Sequence, residues 1–200
     1  GGIGINFDSS TEKRSAVVTW TSSERAGGSF LASNTITTNT GRSRALIAYD
    51  GNGAGSGGVA PTVGDPGTTT KAAANGFTRT GHTFTGWNTK ADGTGAAYLP
   101  GADVAYPAEG RTLTLYAQWR PITYTIRFGG NGASSGMMAD LTATYDEKKT
   151  LPANRYARPG KAFAGWNTKA DGSGAMYRNR AEATNLASGQ DDVFVLYAQW

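Results

Sequence analysis

The sequence predicts a mainly β protein of the α+β class, arranged as small tandem domains with at most one short helix each behind a β-rich N-terminal segment. Three observations carry this. The string Gly-Trp-Asn-Thr-Lys-Ala-Asp-Gly occurs at Gly86–Gly93 and again at Gly165–Gly172. Glycine makes up 29 of 200 residues, about twice the usual share of roughly 7%, and charged residues at 17% fall below the usual quarter. Short runs alternate apolar and polar residues, the period of a strand with one buried face.

The repeat sets the domain plan. Trp87 and Trp166, Asn52 and Asn131, Arg79 and Arg158, and Tyr98 and Tyr177 are each 79 residues apart. Each unit closes on Leu-Tyr-Ala-Gln-Trp, at Leu115–Trp119 and Leu196–Trp200, where two extra residues lengthen the offset to 81. Solenoid repeats run about 20–50 residues and cannot fold singly, so these longer units are expected to be separate domains, 43–121 and 122–200. Residues 1–42 do not match the repeat. They read as the end of a preceding domain, an added hairpin or a partly ordered linker, with strand-like pieces at Ala16–Thr21 and Ser29–Thr38.

Within each unit the elements follow in order. Tyr124, Ile126 and Phe128 alternate with Thr123, Thr125 and Arg127 as an opening strand, matched by Ala45–Tyr49 in the first unit. Glycine-rich turns at Gly51–Gly58 and Gly129–Gly136 come next, and a second strand at Leu141–Tyr145 completes a hairpin. Phe84 and Trp87 are three apart with Gly86 between them, so a regular strand separates their rings unless a bulge at the glycine re-aims one. The Asp-Gly pairs at Asp92 and Asp171 mark tight turns, since glycine takes positive φ without a steric cost. Arg178–Leu186 is expected to hold a short helix, and its counterpart Pro100–Ala105 a turn. The last strand buries Leu113, Leu115, Ala117 and Trp119, while in the second unit Val193, Val195 and Tyr197 make both faces apolar, as in a central strand. Arg120 and Pro121 alone join Trp119 to the next unit, and a two-residue joint containing proline restricts orientation.

Composition narrows the function. A unit of this length buries only roughly 60% of its extended-chain surface, and without cysteine it has no disulfide to help. The formal net charge of +4 divides as +1 over residues 1–42, +1 over 43–121 and +2 over 122–200. That even spread argues against nucleic acid as a partner, which needs a basic face. No apolar stretch approaches the roughly 20 residues of a membrane-spanning helix, and the first residues lack the pattern of a signal peptide. With a repeat closing at Trp200, the chain is expected to be a piece of a longer exported protein.

The pattern Gly-x-x-Phe-x-Gly-Trp-Asn-Thr-Lys-Ala-Asp-Gly-x-Gly, then a tyrosine, then Leu-Tyr-Ala-Gln-Trp, resembles the B-repeat of the internalins, the Listeria–Bacteroides repeat. It falls at Gly81–Gly95 with Tyr98 and Leu115–Trp119, and at Gly160–Gly174 with Tyr177 and Leu196–Trp200. The resemblance implies small β-grasp-like domains, strands curled against a short helix, strung along secreted adhesins of the bacterial cell surface and attached to the cell wall through other regions. It also implies a semi-rigid stalk that presents an adhesive domain. The neighbouring domains of the same protein, or a host-cell surface protein or glycan, are the implied partners.

The repeat also tests individual residues. The only histidine, His82, has no histidine counterpart in the second unit, and there is neither a cysteine nor a Gly-x-Ser-x-Gly string. The usual nucleophile and base pairs cannot be assembled; no catalytic residue, cofactor or metal ligand is assigned. Asp50-Gly-Asn-Gly lacks the later ligands of a calcium loop and reads as a turn. The structural motif residues are Phe84, Gly86, Trp87, Asp92, Gly93, Tyr98 and Trp119, with Phe163, Gly165, Trp166, Asp171, Gly172, Tyr177 and Trp200. The tryptophans are expected to fill cores rather than stack on sugars, because no side chain buries more area. Arg155, Arg158, Lys161 and Lys169 are the candidate contacts for a glycan or protein partner.

Overall fold

The computed structural model describes the backbone of Ala16–Thr21 and Ser33–Thr38 and the whole of residues 43–200. The two N-terminal strands pair antiparallel, Ala16 opposite Thr38 and Thr21 opposite Ser33. The remainder of the N-terminal segment lies outside the described residues, so the choice among its three readings does too.

Each repeat forms a five-stranded mixed sheet of identical order. In the first, the opening strand Ala45–Asp50 and the closing strand Thr112–Pro121 lie parallel at the centre. A return strand, Thr62–Gly64, flanks the opening strand; the motif strand His82–Asn88 and a rim strand, Ala97–Tyr98, flank the closing strand, all antiparallel. The second repeat uses Leu141–Thr144, Thr123–Gly129, Val193–Gln199, Gly165–Asn167 and Met176–Tyr177 in the same spatial order. Parallel strands need a long crossover, and the entire motif region supplies it.

Alternation of burial follows from the two-residue period. Ala45, Ile47, Leu115 and Ala117 are buried in one cluster with Trp87, Ala72, Val104 and Tyr106. Tyr124, Ile126, Phe128, Leu196 and Ala198 are buried in the other with Trp166, Ile122, Ala143, Leu151 and Ala183. The closing strand of the second repeat is central, as its apolar pattern predicts, yet only one of its faces is fully covered: Val193 is 49% exposed.

A bulge brings the two motif aromatics together. Gln118 pairs with Gly86 and Trp119 with Phe84, leaving Thr85 unmatched. The extra residue turns Phe84 and Trp87 onto the same face, with ring centroids 5.0 Å apart; Phe163 and Trp166 stand at the same 5.0 Å. Gly86 and Gly165 hold φ of 145° and 146°, which a side chain resists.

One element differs from expectation. Among the described residues there is no helix, and the segment expected to form one contains the strand Glu182–Ala183, paired with Lys149–Thr150; the matching strand Asp103–Ala105 pairs with Thr69–Lys71. Arg180 and Asn185 bracket the segment at φ 62° and 54°. Left-handed residues end a right-handed helix, and the stretch between them is too short to meet the cost of nucleation.

Arg120 and Pro121 also do more than link. They extend the closing strand opposite Thr83 and His82, so that Ile122 alone stands between two strands. Its N–H donates to Gly81 O at 2.9 Å, and its carbonyl accepts from Tyr145 N at 2.9 Å.

Replacing either bulge glycine by alanine should cost about 1–3 kcal/mol through backbone strain. The larger loss is expected for Gly165→Ala, whose β carbon would stand 2.7 Å from Tyr177 O, against 3.2 Å from Tyr98 O for Gly86→Ala. Denaturant melts of the two variants check the order; equal midpoints would refute it.

Candidate functional site

The duplicated motif is a closed circuit of hydrogen bonds around a buried asparagine. Asn88 Nδ2 donates to Gly93 O (3.0 Å) and Gly95 O (3.2 Å), while Oδ1 accepts from Lys90 N (2.9 Å) and Gly95 N (3.0 Å). Asn167 makes the same four bonds in the second repeat, to Gly172, Gly174 and Lys169. Every donor and acceptor of the amide is used, which is what a buried polar side chain requires. Thr89 Oγ1 and Thr168 Oγ1 then accept from Ala96 N and Ala175 N at 2.9 Å. Gly95 and Gly174 are glycine because a β carbon would collide with Thr89 and Thr168.

Inside that loop Asp92 and Asp171 cap the turn. Asp92 Oδ1 accepts from Thr94 N at 3.0 Å and Thr94 Oγ1 at 2.8 Å, and Asp171 does the same with Ser173. Backbone N–H donation first, and hydroxyl donation second, hold both carboxyls below the ordinary aspartate value. Gly93 and Gly172 follow at φ 78° and 81°.

The closing motif clamps this loop to the glycine turn. Asn52, at φ 47°, donates from Nδ2 to Ala91 O and Ala117 O, both at 2.8 Å, and Asn131 repeats the bridge to Ala170 O and Ala198 O. Trp119 Nε1 donates to Gly51 O at 2.9 Å; Trp200 Nε1 donates to Gly130 O and Asn131 O at 3.1 Å. Gln118 and Gln199 reach Lys90 O and Lys169 O. Asn52, Asn88, Thr89 and Gln118 and their counterparts were not singled out as site residues above. Their recurrence at offsets of 79 or 81 was the available signal.

The remaining candidates fall as follows. Trp87 and Trp166 are fully buried, Trp119 and Trp200 half-buried, and Tyr98 and Tyr177 sit half-buried opposite Trp87 and Trp166 in the ladder. No repeat tryptophan offers an open ring face of the kind a sugar platform needs. Arg155, Arg158, Lys161 and Lys169 are all exposed, but on three separate segments. Arg158 lies over the glycine turn near Gly132, as Arg79 does near Gly53; Lys161 closes the turn begun by Arg158; and Lys169 is in the motif loop. Asp50 Oδ1 accepts from Asn52 N at 2.7 Å, a turn contact. Among the described residues no three histidine or acidic side chains are gathered as metal ligands would be.

Two predictions follow from the motif loop. Asn167→Asp preserves shape but removes both donors, leaving Gly172 O and Gly174 O facing an acceptor, and should cost about 3 kcal/mol in thermal or denaturant unfolding. For the caps, a depressed folded-state value means that the stabilisation is complete above the unfolded aspartate range and is lost as pH falls through the folded value. Asp92→Asn with Asp171→Asn keeps the accepting oxygen and removes the titration, so the variant should lose less stability than the parent between pH 5 and 2.

Comparison with known proteins agrees with the geometry. The model of the Listeria-Bacteroides repeat domain matches residues 46–118 and 124–199. Two relatives from Evansella cellulosilytica are similar: one, provisionally described as a Gly-rich membrane protein, is 39% identical over 129 residues, covering 62% of this chain and 14% of its own length. The other, provisionally described as a membrane protein, is 34% identical over 123 residues, covering 60% and 17%. This chain therefore spans only a small part of either relative. No solved structure matches it significantly. Matched twice over and repeating the same circuit in both halves, the chain belongs to the Listeria–Bacteroides repeat family, of which it carries two tandem copies.

Proposed function

We propose that the two repeats are a non-enzymatic, semi-rigid spacer in a bacterial surface protein, folding as domains at 43–121 and 122–200 and holding an adhesive region away from the cell. The observation that carries this reading is the joint. Ile122 is hydrogen-bonded through its N–H to the first repeat and through its carbonyl to the second, leaving little backbone freedom between the sheets. The motif residues support it from the other side, because their polar groups are spent on one another rather than turned outward. In this reading each repeat is a β-grasp-like sheet, with opening and closing strands parallel at its centre, in which short ladders replace the helix. The membrane-protein descriptions of the two relatives are compatible with a surface location. No helix among the described residues is long and apolar enough to cross a membrane.

Spin labels at Leu99 and Met176, both exposed, should give one narrow inter-repeat distance. Inserting Gly-Ser-Gly-Ser after Pro121 should broaden it severalfold; a broad distribution in the unaltered chain would defeat the spacer reading. Charge reversal at Arg155, Arg158, Lys161 and Lys169 should leave that distance unchanged. Loss of salt-sensitive retention on a sulfated-glycan column in the same variant would instead establish a binding role.

A further inference from the structure

The joint contains a histidine whose two ring nitrogens both face oxygen. His82 Nδ1 stands 3.0 Å from Thr80 O, and since a carbonyl only accepts, Nδ1 carries the hydrogen. Nε2 stands 3.6 Å from Asp146 Oδ2, which belongs to the second repeat. In the neutral ring this leaves a lone pair directed at a carboxylate; in the imidazolium it becomes a donor to an anion. The histidine side chain is only 8% exposed, and the edge-to-face ring of Tyr145 lies 5.8 Å away. Water is therefore poorly placed to relieve the mismatch.

Asp146 is itself held in place. Its backbone N–H donates to Asn185 Oδ1 at 2.6 Å, and Asn185 Nδ2 donates to Asp146 Oδ1 at 3.0 Å, leaving Oδ2 for the histidine. The titratable and charged groups facing the imidazole from the second repeat are the Asp146 carboxylate and the Tyr145 phenol ring. From the closing strand the residue opposite is Pro121, with exposed Arg120 beside it.

These contacts are where the two repeats differ in sequence. At an offset of 79, Lys161 stands for His82, and Pro66 and Gly67 stand for Tyr145 and Asp146. Tyr145 covers Gly81 so closely that a β carbon there would meet the ring, whereas a β carbon at Gly160 would meet nothing within 4 Å. Residues shared by the repeats build the domains; the unshared ones build the contact between them.

We infer that His82 and Asp146 form a proton-dependent clasp, so that acidification from about pH 8 to 5 tightens the docking of the two repeats. Proton uptake favours the docked arrangement because only there does the cation meet Asp146, and linkage makes docking favour proton uptake equally. The clasp adds acid dependence to the spacer reading, and the two fail differently. A joint loose at both pH values defeats both, and one equally tight at both defeats the clasp alone.

The test uses the full chain free of any histidine tag, so that His82 is the only histidine, with the same spin-label pair at Leu99 and Met176. Ring-nitrogen NMR shifts report protonation of His82 directly. Between pH 8 and 5 the ratio of undocked to docked molecules should fall about fivefold, the low end of coupling between sites. Asp146→Asn should abolish that response. His82→Lys, which installs the residue found at position 161, should make docking independent of pH over this range. Indole resonances of Trp87 and Trp166 check that both cores remain folded in each variant. An unaltered chain whose distance distribution is the same at both pH values, or an Asp146→Asn variant that keeps the response, would overturn the inference.

Discussion

Each repeat must close a core of about eighty residues around one indole, without a helix or a disulfide, and the rest of the fold follows from how that indole is covered. Native stability of roughly 0.05–0.15 kcal/mol per residue amounts to about 4–12 kcal/mol for such a unit. Truncating a buried tryptophan costs about 3–5 kcal/mol, a large fraction of that margin. Trp87 is ringed by Tyr49, Phe84 and Phe77 at 4.9, 5.0 and 6.2 Å, and Trp166 by Phe128, Phe163 and Tyr156 at 4.9, 5.0 and 6.3 Å. The bulge is what makes the second contact of each set possible. The asparagine circuit then fixes the loop that leaves the tryptophan, so packing and polar satisfaction constrain the same short stretch of chain.

The polar edge of the indole is handled differently in the two repeats. Trp87 Nε1 donates to Ala73 O, and Ala73 N donates to Tyr49 Oη, both at 2.9 Å. In the second repeat Pro152 replaces Ala73 and Phe128 replaces Tyr49, removing the donor and its acceptor together, and Trp166 Nε1 is left without a partner. An unmet buried donor costs about 1–3 kcal/mol. The hydroxyl reappears on the opposite wall, where Tyr156 in place of Phe77 donates to Phe128 O at 2.7 Å. The ring positions are thus held constant while the hydroxyl moves between them.

Much of the fold was legible in sequence for a specific reason. Duplication shows which positions two independent cores both need, and a glycine between two aromatics signals a bulge because only a bulge lets both rings face inward. The expected helix failed where the pattern was ambiguous: Ala181, Glu182 and Ala183 suit a helix as readily as a strand. The left-handed turns at Arg180 and Asn185 and the partner strand Lys149–Thr150 decide between them. The roles of Asn52, Asn88 and Gln118 were hidden because a polar residue in a glycine-rich loop looks like solvent-facing loop. Only its partners, up to 65 residues away for Asn52, show that it bridges separate segments.

By itself the sequence determined the two-copy plan, the strand character of each segment, the inward tryptophans and the tight turns, because these depend on local chemistry and on periodicity within a few residues. The tertiary structure alone decided that opening and closing strands pair in parallel at the centre of each sheet. It alone decided that the repeated polar residues bond to one another, and that His82 meets Asp146 across the joint. Those outcomes depend on which distant segments are brought within a few ångströms, and no local pattern of residues encodes that distance.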